Sequence, residues 1–282
     1  MNKFGIHPSL ELNEAYKKKY WQVQNPKNAR ILFLGLDANW ELDIETNDTD
    51  ILKEVLEYLN DGVTYWKQKG YHHPFLSKRY NKGDGYTYHS RFLKMGITSE
   101  YADEISFIEL LNVPTYGMSS KSTKLFDSLL DIGHLRELDG IIFNKKPKIV
   151  FLPKSLYEKI KIIRKKLKLN SLFNFETELE QGINYNNKLM NIHRSGDVFV
   201  FVHTHFSNAI SDKHITNVGS VAKSFLKNSN VMRPWLVKIG AEVADMHSKE
   251  IYAKDIMELL EIIKMKENVL SNKPIEIDYI GA

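Results

Sequence analysis

The segment that decides the fold is Ile31-Leu32-Phe33-Leu34-Gly35-Leu36-Asp37-Ala38-Asn39-Trp40. Its run of apolar residues is typical of a strand buried on both faces, as the strands of parallel sheets are. A glycine ends the run, and an acid and an amide follow. Ligands of open α/β sheets bind at the carboxyl ends of strands, so Asp37 and Asn39 are candidate site residues. Taken alone, the segment is better explained as a strand followed by an Asx turn.

Two more predicted strands also end in polar residues. The strand predicted from Ile105 to Leu111 is followed by Asn112, and the strand from Val198 to Val202 is followed by His203, His205 and Ser207. A further strand is predicted from Lys148 to Leu152. Strands and amphipathic helices alternate, which predicts an α/β fold of three layers, with a mainly parallel four-stranded central sheet between helices. An acid, an amide and imidazoles would then meet at one sheet edge, as in a hydrolytic site.

The chain is predicted to form a single domain, 1–282. Its core spans about 30–225, preceded by an N-terminal helical segment (1–29) and followed by a C-terminal helical extension (230–282). That extension includes helices predicted near Trp235 to Ala244 and Ala253 to Lys266. The segment from Tyr71 to Tyr86 is rich in His, Pro, Gly and Tyr and predicts a long loop, which in a compact domain is often functional.

The amino-acid composition limits the kinds of site that the protein can contain. The chain has 282 residues, of which 43% are hydrophobic, and no cysteine, which excludes disulfides, cysteine nucleophiles and thiolate metal sites. Its net charge of +4 permits a nucleic-acid partner without requiring one. No signal peptide or membrane-spanning run is visible, so we expect a cytoplasmic protein without a membrane partner. We expect no metal and no cofactor, and a monomer.

Three motifs in this order resemble the uracil-DNA glycosylase superfamily. They are GLDAN at 35–39, ELLNVPTYG at 109–117 and HTHFS at 203–207. That superfamily has a first motif of the Gly-x-Asp-Pro-Tyr type, a middle strand ending in a base-binding Asn, and a late His-Pro-Ser motif. The resemblance covers about 30–225. Within the superfamily it suggests a bacterial anti-phage branch, which excises glucosylated hydroxymethylcytosine.

The resemblance implies a role for each motif residue. Asp37 would position or activate water and stabilise the cationic sugar, and His205 would donate a hydrogen bond to the departing base. Asn112 would bind the edge of a base flipped out of duplex DNA. Phe75 is the first candidate for stacking on that base, and Tyr88 is the second. The product would be an abasic site, formed without a lysine nucleophile.

Departures from the superfamily pattern bear on the substrate. Asn39 stands where the uracil-specific branch has a Tyr that excludes C5 substituents, so we expect a pocket that accepts a C5-substituted cytosine such as α-glucosyl-hydroxymethylcytosine in phage DNA. Phe206 replaces the Pro of the late motif, and whether Phe206 or Ile210 wedges into the DNA stack stays open. His203 is the alternative to His205 as the late-motif histidine.

The sequence also predicts DNA contacts and leaves several functions open. Ser207, Phe206, Lys213 and Lys154 are predicted to contact DNA, the lysines through phosphates. Uracil excision in base excision repair, a non-catalytic reader of modified bases, and a hydrolase of free nucleosides are the alternatives. The target base and the preference for single or double strands stay open, as does the role of the C-terminal extension.

Overall fold

The computed structural model describes residues 4–47, 49–77, 85–119, 122–144, 148–174, 182–185, 188–195, 198–206, 212–227 and 251–253. For most of 182–195 and part of 212–227 it describes the backbone alone. Over these residues the protein has a mixed α/β architecture, in which helices and the strands of a mixed sheet follow one another along the chain.

The strands form two sheets in the described part of the chain. In chain order they are β1 (Gly5–Ile6), β2 (Gln22–Val23), β3 (Ile31–Gly35), β4 (Ala38–Asn39), β5 (Ile105–Glu109), β6 (Pro114–Tyr116), β7 (Lys148–Pro153), β8 (Gly182–Tyr185), β9 (Lys188–Ser195), β10 (Val198–His203) and β11 (Ile251–Ala253). The larger sheet has the order β11-β8-β9-β10-β7-β3-β5-β2, and the smaller one has the order β1-β6-β4.

The larger sheet is mixed, which corrects the predicted four-stranded sheet. Strands β10, β7, β3 and β5 are adjacent and pair in parallel, and β11 pairs in parallel with β8. The pairs β5–β2, β10–β9 and β9–β8 are antiparallel. The sequence analysis missed β8 and β9, because they lie in a polar stretch without a long apolar run.

The helices lie between these strands along the chain. They are α1 (Leu10–Lys18), α2 (Ile44–Asn47), α3 (Thr49–Asn60), α4 (Gly62–Lys69), α5 (Tyr86–Leu93), α6 (Thr123–Ser128), α7 (Ile132–Ile142), α8 (Lys154–Leu167) and α9 (Asp212–Lys227). Short 3-10 helices span Pro74–Leu76 and Ser99–Glu104. No helix among the described residues is long and apolar enough to cross a membrane.

Each face of the sheet packs against its own apolar core. Alternate residues of β3 point to opposite faces, as a strand requires. Phe33 joins a core shared with α1, α3, α4, α5 and α9, whereas Leu34 joins a core shared with α7 and α8. The Phe33 ring stacks on Phe107 of β5 and Phe151 of β7, with ring centroids 5.1 and 5.0 Å apart. Helices therefore cover both faces.

The order of the strands defines where a ligand can bind. After β3 the chain continues to β5 on one side of β3, and after β5 it crosses to β7 on the other side. The connections thus leave β3 and β7 in opposite directions, and a crevice forms at the carboxyl ends of strands at such a switch point. The crevice lies beside Asp37, which follows β3, and Lys154, which follows β7.

The C-terminal predictions fall largely outside the described residues. This applies to the helix near Trp235 to Ala244 and to the helix near Ala253 to Lys266, except for Ala253 itself. Ala253 ends strand β11, which pairs with β8. The helix near Thr216 to Lys227 corresponds to α9, which begins earlier, at Asp212.

Candidate active site

A cavity of about 440 Å³ lies at the switch point. Its volume falls within the range of roughly 300–1,000 Å³ that is usual for small-molecule sites. The segments that follow β3, β7 and β10 contribute to its wall, together with the end of β5 and the helix α5. Its ionisable and amide side chains are Gln22, Asp37, Asn39, His73, Tyr88, His89, Glu109 and His205.

Asp37 lies in this cavity, held by two hydroxyl groups. The Thr115 hydroxyl donates to Asp37 Oδ2 at 2.6 Å, and the Ser119 hydroxyl also hydrogen bonds the carboxylate. Burial raises the pKa of Asp37, and both hydroxyl donors act in the opposite direction because they stabilise the ionised form. Thr115 is fully buried on β6, which pairs with β4 directly after Asp37. The carboxylate is therefore oriented by the small sheet.

Glu109 is a second carboxyl group in the cavity, and the sequence analysis did not select it. It is the last residue of β5, and its Oε2 atom is buried without a hydrogen-bond partner in the described part of the chain. Burial raises the pKa of Glu109 well above its usual range, and the nearby Asp37 charge adds to this effect. Gly35 provides the space, since a Cβ atom there would lie 1.9 Å from Glu109 Oε2. The structure thus places a carboxyl group where Asn112 was expected.

His205 lines the cavity, whereas His203 does not. His203 is buried, its Nδ1 lies 2.8 Å from the Thr204 carbonyl, and its ring stacks on Phe206. His205 lies against Tyr88, with ring centroids 5.4 Å apart, and burial lowers its pKa. Of the two candidate histidines, only His205 faces the space shared with Asp37.

A guanidinium group fixes the segment that carries His205. Arg91 of α5 donates a hydrogen bond from Nη1 to the carbonyl oxygen of Phe206. This bond joins α5, which contributes Tyr88 and His89 to the cavity, to the residues after β10. The position of His205 therefore depends on α5 as well as on its own strand.

Aromatic rings line the apolar part of the cavity. Phe75 and Tyr88 both contribute, as predicted for candidate base-stacking residues, and Trp40 lies against Phe75 with ring centroids 5.2 Å apart. Gly85 has a φ of +93°, and a Cβ atom there would lie 2.3 Å from the Phe75 ring. The described part of the predicted Tyr71 to Tyr86 loop therefore packs Phe75 into the cavity wall.

Three histidines form a buried cluster beside these rings. His73 stacks on His89 with ring centroids 3.7 Å apart, and His72 Nε2 lies 2.9 Å from His89 Nδ1. The Phe75 backbone N–H donates to His73 Nδ1, so the neutral His73 ring carries its proton on Nε2. Burial lowers the pKa of all three, that of His89 to about 3. The cluster is neutral at physiological pH.

Asn39 also lines the cavity. Its side-chain amide donates a hydrogen bond to the Gly117 carbonyl, which fixes the amide nitrogen towards the small sheet. The neighbouring wall contains Gln22, whose amide nitrogen donates to Tyr16 and whose amide oxygen accepts from Tyr58. Two ordered amide groups thus border the cavity.

Other predicted site residues lie elsewhere. Asn112 follows β5 at a bend and does not line the cavity, so the structure does not support its predicted contact with the base. Phe206 is fully buried between His203 and Tyr88, which argues against its predicted DNA contact, because a wedge must reach the DNA stack. Lys154 is exposed at the start of α8, next to the cavity-lining Ser155. Ser207, Ile210 and the Lys213 side chain lie outside the described residues.

Comparisons with family models, with curated proteins and with solved structures returned no match for this chain. Within the described ranges, no group of three or more His, Asp or Glu side chains is arranged to hold a metal ion. One signal for Glu109 was present in the sequence, namely an acid inside the mainly apolar run Ile105 to Leu111.

Proposed function

We propose that this protein is a DNA glycosylase that flips a modified pyrimidine base into the cavity and hydrolyses its N-glycosidic bond. One observation carries the proposal. Asp37 and His205, which belong to motifs at opposite ends of the resemblance, line the same cavity at the switch point of the sheet. The order of the motifs and their resemblance to the uracil-DNA glycosylase superfamily support it.

The chemistry of base excision requires charge stabilisation on two sides of the breaking bond. The sugar becomes cationic and the departing base anionic. Asp37, whose ionised form the hydroxyls of Thr115 and Ser119 favour against the effect of burial, would stabilise the sugar and orient the attacking water. His205, held neutral by burial, would donate a hydrogen bond to a base oxygen, since a neutral imidazole still carries one N–H.

The aromatic wall suits a flat ring. Phe75 and Tyr88 would stack on the flipped base, in the way that base-flipping enzymes hold an extruded nucleotide. The cavity is larger than one six-membered ring requires. Asn39, smaller than the Tyr of the uracil-specific branch, leaves space for a C5 substituent. We therefore propose a C5-substituted cytosine, glucosylated in phage DNA, as the substrate, and antiviral defence as the role.

The proposal also covers the central sheet and a phosphate contact. The four adjacent parallel strands β5, β3, β7 and β10, with helices on both faces, would correspond to the central sheet of the superfamily. Exposed Lys154, next to the cavity-lining Ser155, would contact a DNA phosphate near the flipped nucleotide.

Release of free base from defined DNA duplexes tests the proposal. The duplexes would carry uracil, a thymine mismatch, hydroxymethylcytosine or its glucosylated form, and free base would be identified by mass spectrometry. We expect release of the glucosylated base, abolished by Asp37→Ala. Release of uracil alone would indicate a repair enzyme, and binding without release would indicate a reader. Cleavage of free nucleosides without salt-sensitive DNA binding would contradict a DNA substrate.

A further inference from the structure

Glu109 is the cavity group that the proposed mechanism leaves unused. Its Oε2 atom is buried and has no hydrogen-bond partner among the residues that the structure describes. Buried polar groups are nearly always paired, so an unpaired one that borders a cavity points to a ligand that completes it. Among the residues that the structure describes, those lining the cavity include no lysine and no arginine. None of these lining residues therefore supplies a cation that compensates a negative charge on this carboxyl group.

We propose that Glu109, as a neutral carboxylic acid, binds the N3 and C4 edge of a flipped cytosine-type base and donates its proton to N3 as the glycosidic bond breaks. This inference rests on the proposed glycosylase function and deepens it, because it assigns the residue that selects the base. It replaces the predicted role of Asn112, which lies outside the cavity wall.

The hydrogen-bonding pattern of the acid matches that edge of cytosine. A protonated carboxyl group presents one O–H donor beside one carbonyl acceptor. Cytosine presents an acceptor at N3 beside the N4 amino donor, so the two groups form a pair of hydrogen bonds. An ionised carboxylate would place an acceptor against N3 and lose one of them. Uracil, with its N3–H donor and O4 acceptor, can pair with the same acid but cannot take a proton at N3.

The leaving group explains why the proton matters. A cytosine anion leaves less readily than a uracil anion, because it has one carbonyl oxygen fewer to carry the charge. When the bond between N1 and C1′ breaks, its electron pair moves into the base, and the Glu109 proton goes to N3. Water adds to C1′ and gives its proton to Asp37. The products are a neutral base, an abasic sugar and a Glu109 carboxylate, which regains its proton as Asp37 and solvent exchange theirs.

The surroundings of Glu109 favour its neutral form at physiological pH. Burial is the main reason that its pKa is raised, and Asp37 adds to it. Burial lowers the pKa of the three histidines in the cavity wall, His73, His89 and His205, so they add no positive charge at physiological pH. The titratable groups that face Glu109 are Asp37 after β3, Tyr16 on α1, Tyr58 on α3, Tyr88 on α5, and the cavity histidines His73, His89 and His205.

A matched pair of substrates tests the inference. Glucosylated 5-hydroxymethylcytosine and glucosylated 5-hydroxymethyluracil share the C5 substituent and differ only along the N3 and C4 edge. Single-turnover base release from duplexes would be measured from pH 5.5 to 9.5. For the wild-type protein we expect release of the cytosine base to fall as pH rises through the pKa of Glu109. Release of the uracil base should keep its rate further into the alkaline range.

The variant Glu109→Gln keeps one donor beside one acceptor, as in the neutral acid, but it has no acidic proton to give to N3. We expect it to lower release of the cytosine base by about 100-fold or more, a usual size for general acid catalysis, and to abolish the alkaline fall. Release of the uracil base should change less than about 10-fold. Equal losses on both substrates, or wild-type rates on both, would overturn the inference. Asp37→Asn, which should abolish both, serves as the control for the chemistry.

The same experiment separates the inference from the proposed function. If the wild-type protein releases only the uracil base, the glycosylase function stands and proton donation by Glu109 fails. If it releases neither base, both fail. A readout without DNA adds a direct test, namely carbon NMR of labelled glutamate carboxyl groups. The resonance that is missing in Glu109→Gln belongs to Glu109. In the wild-type protein it should still report a protonated acid at pH values where the other glutamates have ionised. Titration of Glu109 together with the other glutamates would contradict the inference.

Discussion

Asp37 and Glu109 line one cavity, yet only Asp37 accepts hydrogen bonds there from the hydroxyls of Thr115 and Ser119. Glu109 Oε2 has no such donor within the described ranges. Hydroxyl donors favour the ionised form of a carboxyl group, and burial without donors favours the neutral form. In the proposed mechanism the two environments would make Asp37 the base and Glu109 the acid, an arrangement found where enzymes run acid and base chemistry together.

Thr115→Val should destabilise the ionised form of Asp37 and so raise its pKa. Valine has nearly the shape of threonine, so the buried position stays filled while the donor to Asp37 Oδ2 is lost. A hydrogen bond to a charged group contributes about 1.5–3 kcal/mol, so we expect base release to slow by about 10- to 100-fold at neutral pH. The acid limb of the pH–rate profile should move to higher pH. An unchanged acid limb would contradict the assigned role of Thr115.

Asn39→Tyr should restore a block against C5 substituents. We expect release of a glucosylated base to fall by at least about 100-fold, while release of unmodified uracil falls far less or rises. Asn39→Ala is the matched control, because it also removes the hydrogen bond to the Gly117 carbonyl but leaves space. Equal effects of the two variants on the glucosylated substrate would show that Asn39 does not control access at C5.

Gly35→Ala should displace the Glu109 carboxyl group without removing it, since the new Cβ atom would lie 1.9 Å from Oε2. The group that must move is the end of a flexible side chain, so the melting temperature should change little. Base release should fall by about 10-fold or more. Gly140→Ala is the matched control, because in the described part of the chain its Cβ position meets nothing within 4 Å beyond the adjacent residues and the backbone of its own helix. Wild-type activity of Gly35→Ala would argue against a role for the position of Glu109.

The histidine cluster should make the protein sensitive to acid. The pKa of His89 is about 3 in the folded state and about 6.5 when unfolded, so the unfolded chain binds more protons as pH falls below 6.5. His89 alone should lower the free energy of unfolding by about 2 kcal/mol between pH 7 and pH 5. Urea unfolding at both pH values measures this loss. His89→Gln should show a smaller loss, and an equal one would contradict the assignment.

The sequence predicted the parts of the fold and site that depend on local patterns. The apolar runs at β3, β7 and β10 located parallel strands, and the polar residues after β3 and β10 located Asp37 and His205. Strands β8 and β9 were missed because they lie in a polar stretch without a long apolar run, although β8 pairs with β9 and β9 pairs with β10, their neighbours in the chain. Phe206 was predicted to contact DNA because the motif pattern does not show that His203 and Tyr88 enclose its ring.

Glu109 shows most clearly what the sequence could not supply. Its place in the cavity depends on β5 lying beside β3, on the missing side chain at Gly35, and on the absence of a hydrogen-bond donor near Oε2. Each of these is a relation between elements that are far apart in the chain. The motif led to Asn112 instead, three residues further on, and the bend after β5 takes that residue away from the cavity wall.

The most direct test of the glycosylase account is the stoichiometry of free base and abasic sites from a duplex with one glucosylated hydroxymethylcytosine. The account predicts equal amounts of free modified base and abasic site from the wild-type protein, with the DNA backbone intact until alkali is added. Asp37→Asn should yield neither product. Intact duplex after incubation with the wild-type protein, or equal product from Asp37→Asn, would contradict the central claim.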